Sequence, residues 1–328
     1  MSSRPGTPEE SASSAERLQQ DGLPTEATRR LGQMSATGSW TSDLSVQEFA
    51  ALQSCGFQPV GQVLGTAVMR IGYSGYGGCA GTWGAQAVAG TGRYARSSWS
   101  GYKPLVDALY SGRKKCMTRI VKECSELGGD GVVGIKLRSR RFLDADTLEF
   151  QAIGTAVRST GRLHMRQPFT AELSGQDFAK LLMSGWMPYA VVSGVAVGVR
   201  HDDWQTRSAA RSWSNAEVPG YTHLVQEARA QVRTELTAHL THLGANGMVT
   251  RPMRLRIRST ECGRSDNARD HVAEATMVGT ALVPFSARGS TPPGALRILR
   301  LDQQHEEVLG GHLVDNDTRD PWRRKAPS

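Results

Sequence analysis

The sequence has no apolar run long enough to cross a membrane, and only 6% of its residues are aromatic. A membrane-spanning helix needs about 20 consecutive, mainly apolar residues, so we predict no membrane insertion. The segment that follows Met1 is polar and lacks the apolar core of a secretory signal. We therefore expect a cytoplasmic protein.

The 5 cysteines are odd in number, and no two of them have CxxC spacing. This usage fits reduced thiols better than a disulfide framework. The sequence also has no HExxH motif, no nucleophile elbow and no carboxylate pair that can be placed across one cleft. The glycine-rich segment 72–78 lacks the GxxxxGK[ST] order of a phosphate-binding loop. The whole stretch 72–101, rich in Gly, Ser and Tyr, is interpreted as a surface loop. We expect a protein that is not an enzyme.

The formal net charge is +8, and all of this excess lies between residues 43 and 285. The flanking segments are rich in small polar residues and mixed charge and have little periodic apolar pattern. Such segments cannot bury enough apolar surface to fold, so we predict disordered tails over 1–42 and 286–328. A basic folded core can attract anions or nucleic acid.

The folded part is an internal duplication. Gly56-Phe57-Gln58-Pro59 returns 129 residues later as Gly185-Trp186-Met187-Pro188, and Leu127-Gly128 returns as Leu243-Gly244. The offset changes along the chain because the loops of the two copies differ in length. At the start of the first copy, Ser45 is followed three residues later by Glu48, which is the spacing of a capping box at a helix N-terminus.

Each copy is predicted to contain a short helix, a strand, a long helix and a two-stranded hairpin. The fold class is therefore α/β (α+β), with antiparallel sheets, in two tandem modules at 43–160 and 170–285. The first strands are placed at 60–71 and 191–200. The hairpins are placed at 131–141 with 147–158 and at 247–258 with 272–283.

The run from Glu126 to Ile135, followed after the hairpin by Gly154-Thr155-Ala156-Val157, resembles the YbjQ-like family. Members of this family are described as heavy-metal-binding domains. The resemblance covers 45–158 well and 174–284 more weakly. It implies two-layer modules like the dodecin subunit, which assemble into pentameric rings. Because one chain would supply two modules to any such ring, we do not expect a simple pentamer of single-module chains.

The resemblance directs attention to metal ligands for a divalent transition metal. Cys116 and Cys124 lie eight residues apart on the first long helix, and His239 and His242 lie three apart on the second. These spacings could place thiols or imidazoles on one helix face. Both cysteines also fall on the apolar stripe of the helix, where a free thiol behaves as a small hydrophobe. The histidines could equally be solvated.

A second pattern lies on the hairpin strands, where basic residues alternate with aliphatic ones in both copies. Period two places each basic row on one face of its sheet, and such a face could bind phosphate, nucleic acid or an acidic partner. The rows are Lys136, Arg138 and Arg140 in the first copy and Arg254, Arg256 and Arg258 in the second. The alternative is a solvated face, or pairing with Asp144, Asp146 and Glu149 across the hairpin.

These patterns predict a non-enzymatic protein that forms homo-oligomers of ring type and binds an unidentified ligand or partner. Heavy-metal binding is the first alternative, and binding of anions or nucleic acid to the basic rows is the second.

Overall fold

The protein is described from a computed structural model, which describes residues 12, 15–18, 22–71, 103–142, 144–161, 164–261 and 269–285. Several sequence-based interpretations lie outside these residues: the loop over 72–101, the C-terminal tail 286–328, Cys79 and Cys262, and the side chains of Asp144 and Asp146. No helix among the described residues is both long and apolar enough to cross a membrane.

Among the described residues, the first half of the chain has three helices of nine residues or more and a four-stranded sheet in the order β1-β3-β2-β4. Strands β1, β3 and β2 pair antiparallel, and the short β4 joins parallel to the start of β2. In chain order the elements are α1 (Thr25–Thr37), α2 (Val46–Ser54), β1 (Phe57–Arg70), α3 (Lys103–Glu126), β2 (Gly131–Phe142), β3 (Asp144–Ser159) and β4 (Phe169–Thr170).

The second half repeats this connectivity. Its sheet has the order β5-β8-β6, with β7 also paired to β8. The elements are α4 (Gly175–Met183), β5 (Trp186–His201), α5 (Trp204–Ala210), α6 (Pro219–His242), β6 (Gly247–Thr250), β7 (Arg254–Glu261) and β8 (Arg269–Pro284). In both halves the last long strand lies between the first strand and the strand after the long helix. The predicted mixed α/β class with antiparallel sheets is confirmed.

The prediction of one continuous strand over 247–258 is wrong. Thr250 pairs with Gly279 and Arg254 pairs with Thr276, so Arg251 to Met253 leave the ladder and divide the strand into β6 and β7. Pro252 lies at this break, and a proline has no N–H to donate to a ladder. In the first half the register shifts between Val133 and Lys136, but β2 continues.

The prediction of a disordered tail over 1–42 is wrong for residues 25–37, which form α1. Leu31 of this helix is buried, and Arg30 forms an ion pair with the fully buried carboxylate of Glu123 on α3. Gly38 ends the helix in the left-handed region, with φ of 63°. The helix is stabilised by this tertiary contact, which the polar local sequence does not reveal.

The long helices cross the first strands of their sheets at equivalent glycines. A Cβ at Gly65 would lie 2.8 Å from the carbonyl carbon of Cys116 on α3, and a Cβ at Gly194 would lie 2.7 Å from the carbonyl oxygen of Val232 on α6. Glycine is required at such close approaches because any side chain would separate the two backbones. The duplicated Gly positions therefore set the distance between helix and sheet in both halves.

The two halves share a hydrophobic core. This differs from the expectation of two tandem modules that each bury a core of their own. The cluster around α3 includes Val195, Val197 and Val272 from the second sheet. Tyr110 on α3 accepts a hydrogen bond from the Val195 N–H at 3.0 Å, and Thr170 accepts one from the Val191 N–H at 2.8 Å. The first half therefore covers the edge of β5.

Candidate anion-binding cleft

A cleft of about 560 Å³ lies where the two halves meet. Strand β2 and helix α3 of the first half form one part of its wall, and the β6–β7 break, β7 and β8 of the second half form another. Its charged lining residues are Arg113, Lys136, Arg138, Arg251, Arg254, Arg256, Glu172 and Glu274. Six cationic side chains thus share this space with two carboxylates, which gives the lining an excess of positive formal charge.

The structure brings together most of the basic residues that the sequence predicted. Lys136, Arg138, Arg254 and Arg256 line the cleft, while Arg140 lines an adjoining groove of about 510 Å³ with Arg138 and Arg254. Ile135, which precedes Lys136 in β2, lies in the core around α3, as the predicted alternation of basic and aliphatic residues requires. The two rows therefore converge although they are more than a hundred residues apart in sequence.

Some of these cations are neutralised by partners. Lys136 forms an ion pair with Asp43, and Arg140 forms one with Glu149, its cross-strand neighbour. The pairing predicted with Glu149 is therefore confirmed. Arg258 lies outside the residues that line the cleft, with an Nη2 atom 3.7 Å from the Glu274 carboxylate.

Arg113, the most buried arginine of the cleft, is one of the lining residues that the sequence did not identify. It lies on α3 and is only 9% exposed. Its Nη2 atom is 3.4 Å from the Thr276 hydroxyl, and its buried Nη1 atom has no hydrogen-bond partner. Burial lowers the pKa of Arg113, although nearby Glu274 opposes this effect. Its position three residues before Cys116, on the same helix face, is the sequence signal that could have identified it.

A contact between the halves supports the wall of the cleft. Arg251, in the β6–β7 break, donates a hydrogen bond of 2.7 Å to the backbone carbonyl of Glu172. Burial raises the pKa of the Glu172 carboxyl, and Arg251 partly offsets this effect. Since Glu172 follows β4, this contact joins the connecting segment to the second sheet.

The two cysteines proposed as metal ligands are fully buried on α3. Burial raises the pKa of both Cys116 and Cys124 to about 12. The Cys124 thiol donates to the Gly131 carbonyl at 3.3 Å. Eight helical residues correspond to a rise of about 12 Å, so the two sulfur atoms cannot coordinate one ion together.

The two histidines lie in the last turn of α6, away from a recognisable ligand set. The Nδ1 atom of His239 is 3.2 Å from the Ser193 carbonyl oxygen, and its ring packs edge-on against Tyr110. His242 is exposed. No group of three or more His, Cys, Asp or Glu side chains suited to a metal ion occurs among the described residues. The four predicted ligands therefore do not come together.

The duplication explains the position of His239. In the first half, Glu123 accepts a hydrogen bond of 2.7 Å from the backbone N–H of Leu64. Glu123 and His239 occupy equivalent places in the two copies, as do Leu64 and Ser193. Both helix side chains thus satisfy a backbone group on the outer edge of the first strand, which blocks that edge from further strand pairing.

A second polar network, also missed by the sequence reasoning, lies at the far end of the second sheet. The Ser259 hydroxyl is 2.9 Å from Nδ1 of His271, and Nε2 of His271 is 3.1 Å from both an Asp202 carboxylate oxygen and the Tyr221 hydroxyl. Asp202 and His271 are buried, whereas Ser259 is exposed. Since Tyr221 belongs to α6, the network joins this helix to the sheet.

Comparison with known proteins places these features in a family. Residues 81–160 match the YbjQ family model, whose description is "Putative heavy-metal-binding". The chain is 32% identical to the encapsulin nanocompartment protein Rv1762c of Mycobacterium tuberculosis over 238 residues, which cover 71% of this chain and 83% of that relative. The match extends well beyond a single module. This chain therefore belongs to the same protein family as Rv1762c.

Proposed function

We propose that this protein is a non-enzymatic subunit that assembles with copies of itself as part of a nanocompartment. The kinship with a nanocompartment protein, at 32% identity over most of both chains, is the observation that carries this proposal. A compartment is built from many chains, so its subunits need surfaces that bind other copies. We also propose that the assembly is ring-shaped and that each chain contains two YbjQ-like modules.

The outer strands of the second sheet support it. Strands β6 and β7 pair only with β8 among the described residues, and they carry the exposed aliphatic side chains Val249 and Ile257, which are 41% and 50% exposed. An exposed, apolar outer strand is a template for association with another chain. We assign a second copy of this chain as its partner.

The proposal is tested by native mass spectrometry and light scattering of the full chain and of Ile257→Lys. A lysine on an outer strand opposes association, so we expect wild-type protein to form assemblies and the variant to shift toward monomer. Val46→Lys is the matched control, because Val46 is exposed on a helix. Wild-type protein that is only monomeric at high micromolar concentration would overturn the proposal.

A separate experiment tests the proposal that this protein is not an enzyme. It is needed because Ser259, His271 and Asp202 are the residue types of a hydrolytic triad. The Tyr221 hydroxyl also contacts the histidine nitrogen that faces Asp202, which supports a structural role for this network. We expect no hydrolysis of p-nitrophenyl acetate above that of Ser259→Ala. Turnover by wild-type protein that the substitution abolishes would contradict a non-enzymatic role.

Heavy-metal binding is a second candidate function, supported by the description of the family that matches 81–160. This segment contains Cys116 and Cys124, and their burial makes thiolate formation costly. Elemental analysis of protein purified without chelators, for zinc, copper and nickel, tests this function. Metal near one equivalent that is lost in His239→Ala with His242→Ala would establish the histidine pair, and its absence would remove the candidate.

A further inference from the structure

The buried guanidinium of Arg113 is the starting point. Arginine is rarely buried without a carboxylate partner, since an unpaired charge in the interior is costly. Here the nearby Glu274 carboxylate attracts the guanidinium, yet one terminal nitrogen has no hydrogen-bond partner and the other has only the long contact of 3.4 Å with Thr276. Arg113 also lines the cleft, so its unsatisfied nitrogen is available to an anion that enters there.

The residues around Arg113 increase the attraction for anions. Arg138, Arg254 and Arg256 have no hydrogen bond or ion pair with the side chains that the structure describes, which do not include those of Asp144 and Asp146. The cleft also contains apolar side chains, among them Phe150 and Ile135, which are nearly fully buried. An apolar lining lowers the local dielectric constant, so charge–charge interactions in the cleft are stronger than on an open surface.

We propose that the cleft binds a small, multiply charged phosphate compound, with Arg113 at the buried end and Arg138, Arg254 and Arg256 nearer the solvent. The planar fork of a guanidinium matches two oxygens of a phosphate group. Several separate arginines need a ligand with more oxygens and more charge than a single carboxylate offers. A compound with two or three linked phosphates meets this requirement.

The site gives the internal duplication a role. The first half supplies Arg113 and Arg138, and the second half supplies Arg254 and Arg256. Neither half holds the complete set, so one chain with both halves is the smallest unit that forms the site. Because no second copy is required, phosphate binding and self-assembly are independent and can fail separately.

The probe is sodium tripolyphosphate, titrated by calorimetry into the full chain at low salt. We expect saturable binding at one site per chain. Arg113→Met should weaken it by about 10- to 100-fold, as expected for the loss of a charge-assisted hydrogen bond. Arg233→Met is the matched control, because Arg233 is exposed on α6, and it should bind as wild type.

Thermal unfolding separates this role from a structural one. If Arg113 serves the ligand, Arg113→Met should keep or raise the ligand-free Tm, since it removes a buried nitrogen without a hydrogen-bond partner and Glu274 keeps Arg258 at 3.7 Å. The rise in Tm caused by tripolyphosphate should disappear. Arg254→Gln and Arg256→Gln change exposed residues, so they test the site even if Arg113→Met does not fold. Each should weaken binding severalfold.

Three results would overturn the proposal. They are the absence of binding to wild-type protein, equal binding by wild type and all three cleft variants, and binding of a single-stranded oligonucleotide under conditions where tripolyphosphate does not bind. The last result would indicate a nucleic-acid surface instead of a site for a small phosphate compound.

Discussion

Replacing Gly65 by alanine tests how closely α3 must approach β1. The added Cβ would lie 2.8 Å from the carbonyl carbon and 3.0 Å from the Cα of Cys116, and closer still to its carbonyl oxygen. All three atoms belong to the backbone of a helix, so no side-chain rotation relieves the clash. The helix must move away from the sheet.

The cost follows from the contacts that this movement weakens. A gap of about 0.5–1 Å already loses a quarter to a half of each dispersion contact, and α3 packs the fully buried Cys116, Ile120 and Cys124 against the sheet. Overpacking a core commonly costs about 1–3 kcal/mol and sometimes more. Since the obstacle is backbone, we expect Gly65→Ala to lower the free energy of unfolding by about 3–4 kcal/mol.

The measurement is equilibrium denaturation in urea at a fixed protein concentration. Gly194→Ala should cost less, about 1–3 kcal/mol, because two of its three near atoms belong to side chains, those of Leu236 and Val232. Gly247→Ala is the control, since a Cβ there meets nothing within 4 Å. A loss below about 0.5 kcal/mol for Gly65→Ala, similar to that of an ordinary surface substitution, would refute the close-approach argument.

Three further predictions concern buried polar groups. Because burial raises the pKa of Cys116 and Cys124 to about 12, iodoacetamide at pH 8 should label neither thiol until the protein is denatured; mass spectrometry showing rapid native labelling would contradict this. Arg30→Met should lower the free energy of unfolding at pH 7 by about 1–3 kcal/mol, because the buried Glu123 charge loses its cation. Burial also raises the pKa of Glu123, so its carboxyl in the folded state takes up a proton more readily as pH falls. The difference in unfolding free energy between Arg30→Met and the wild type, measured by urea denaturation, should therefore shrink at lower pH. An equal difference at pH 5 and pH 7 would contradict this prediction. Burial alone would raise the pKa of Asp130, but hydrogen bonds from two backbone amides and a histidine lower it below its usual 3.8. The stability that Asp130 contributes should therefore be complete above pH 3.8 and be lost as pH falls through the lower folded pKa. Asp130→Asn should lower the free energy of unfolding by about 1.5–3 kcal/mol already at neutral pH. Its acid denaturation curve should be flatter than that of the wild type.

The local signals in the sequence were sufficient for most secondary structure. Ser45 and Glu48 form the capping box that their spacing predicted, and Gly128 adopts the left-handed conformation, with φ of 65°, after the first long helix. These features depend on residues within one helical turn. Helix α1 escaped prediction because it is stabilised by contacts with a distant part of the chain, whereas Pro252 is a local signal that the prediction of a continuous strand did not use.

The candidate site likewise combines features that the local sequence determines with features that depend on tertiary packing. The basic rows were visible because a strand repeats every two residues, which separates Lys136 and Arg138 from Ile135 whatever surrounds them. The sequence could not show that the rows of the two halves meet in one cleft. That convergence depends on how the second sheet packs against α3 and on the covering of the edge of β5.

The sequence by itself determined the repeated order of helices and strands, because apolar periodicity, caps and glycines act over a few residues. Only the tertiary structure decided which charges are paired and which are not. Arg113 appears in the sequence as one basic residue on a long helix. Packing between two sheets buries it, leaves one of its nitrogens without a hydrogen-bond partner and places it in the same cleft as Arg138, Arg254 and Arg256. The desolvation on which the proposed anion site depends arises only when residues far apart in sequence exclude water together.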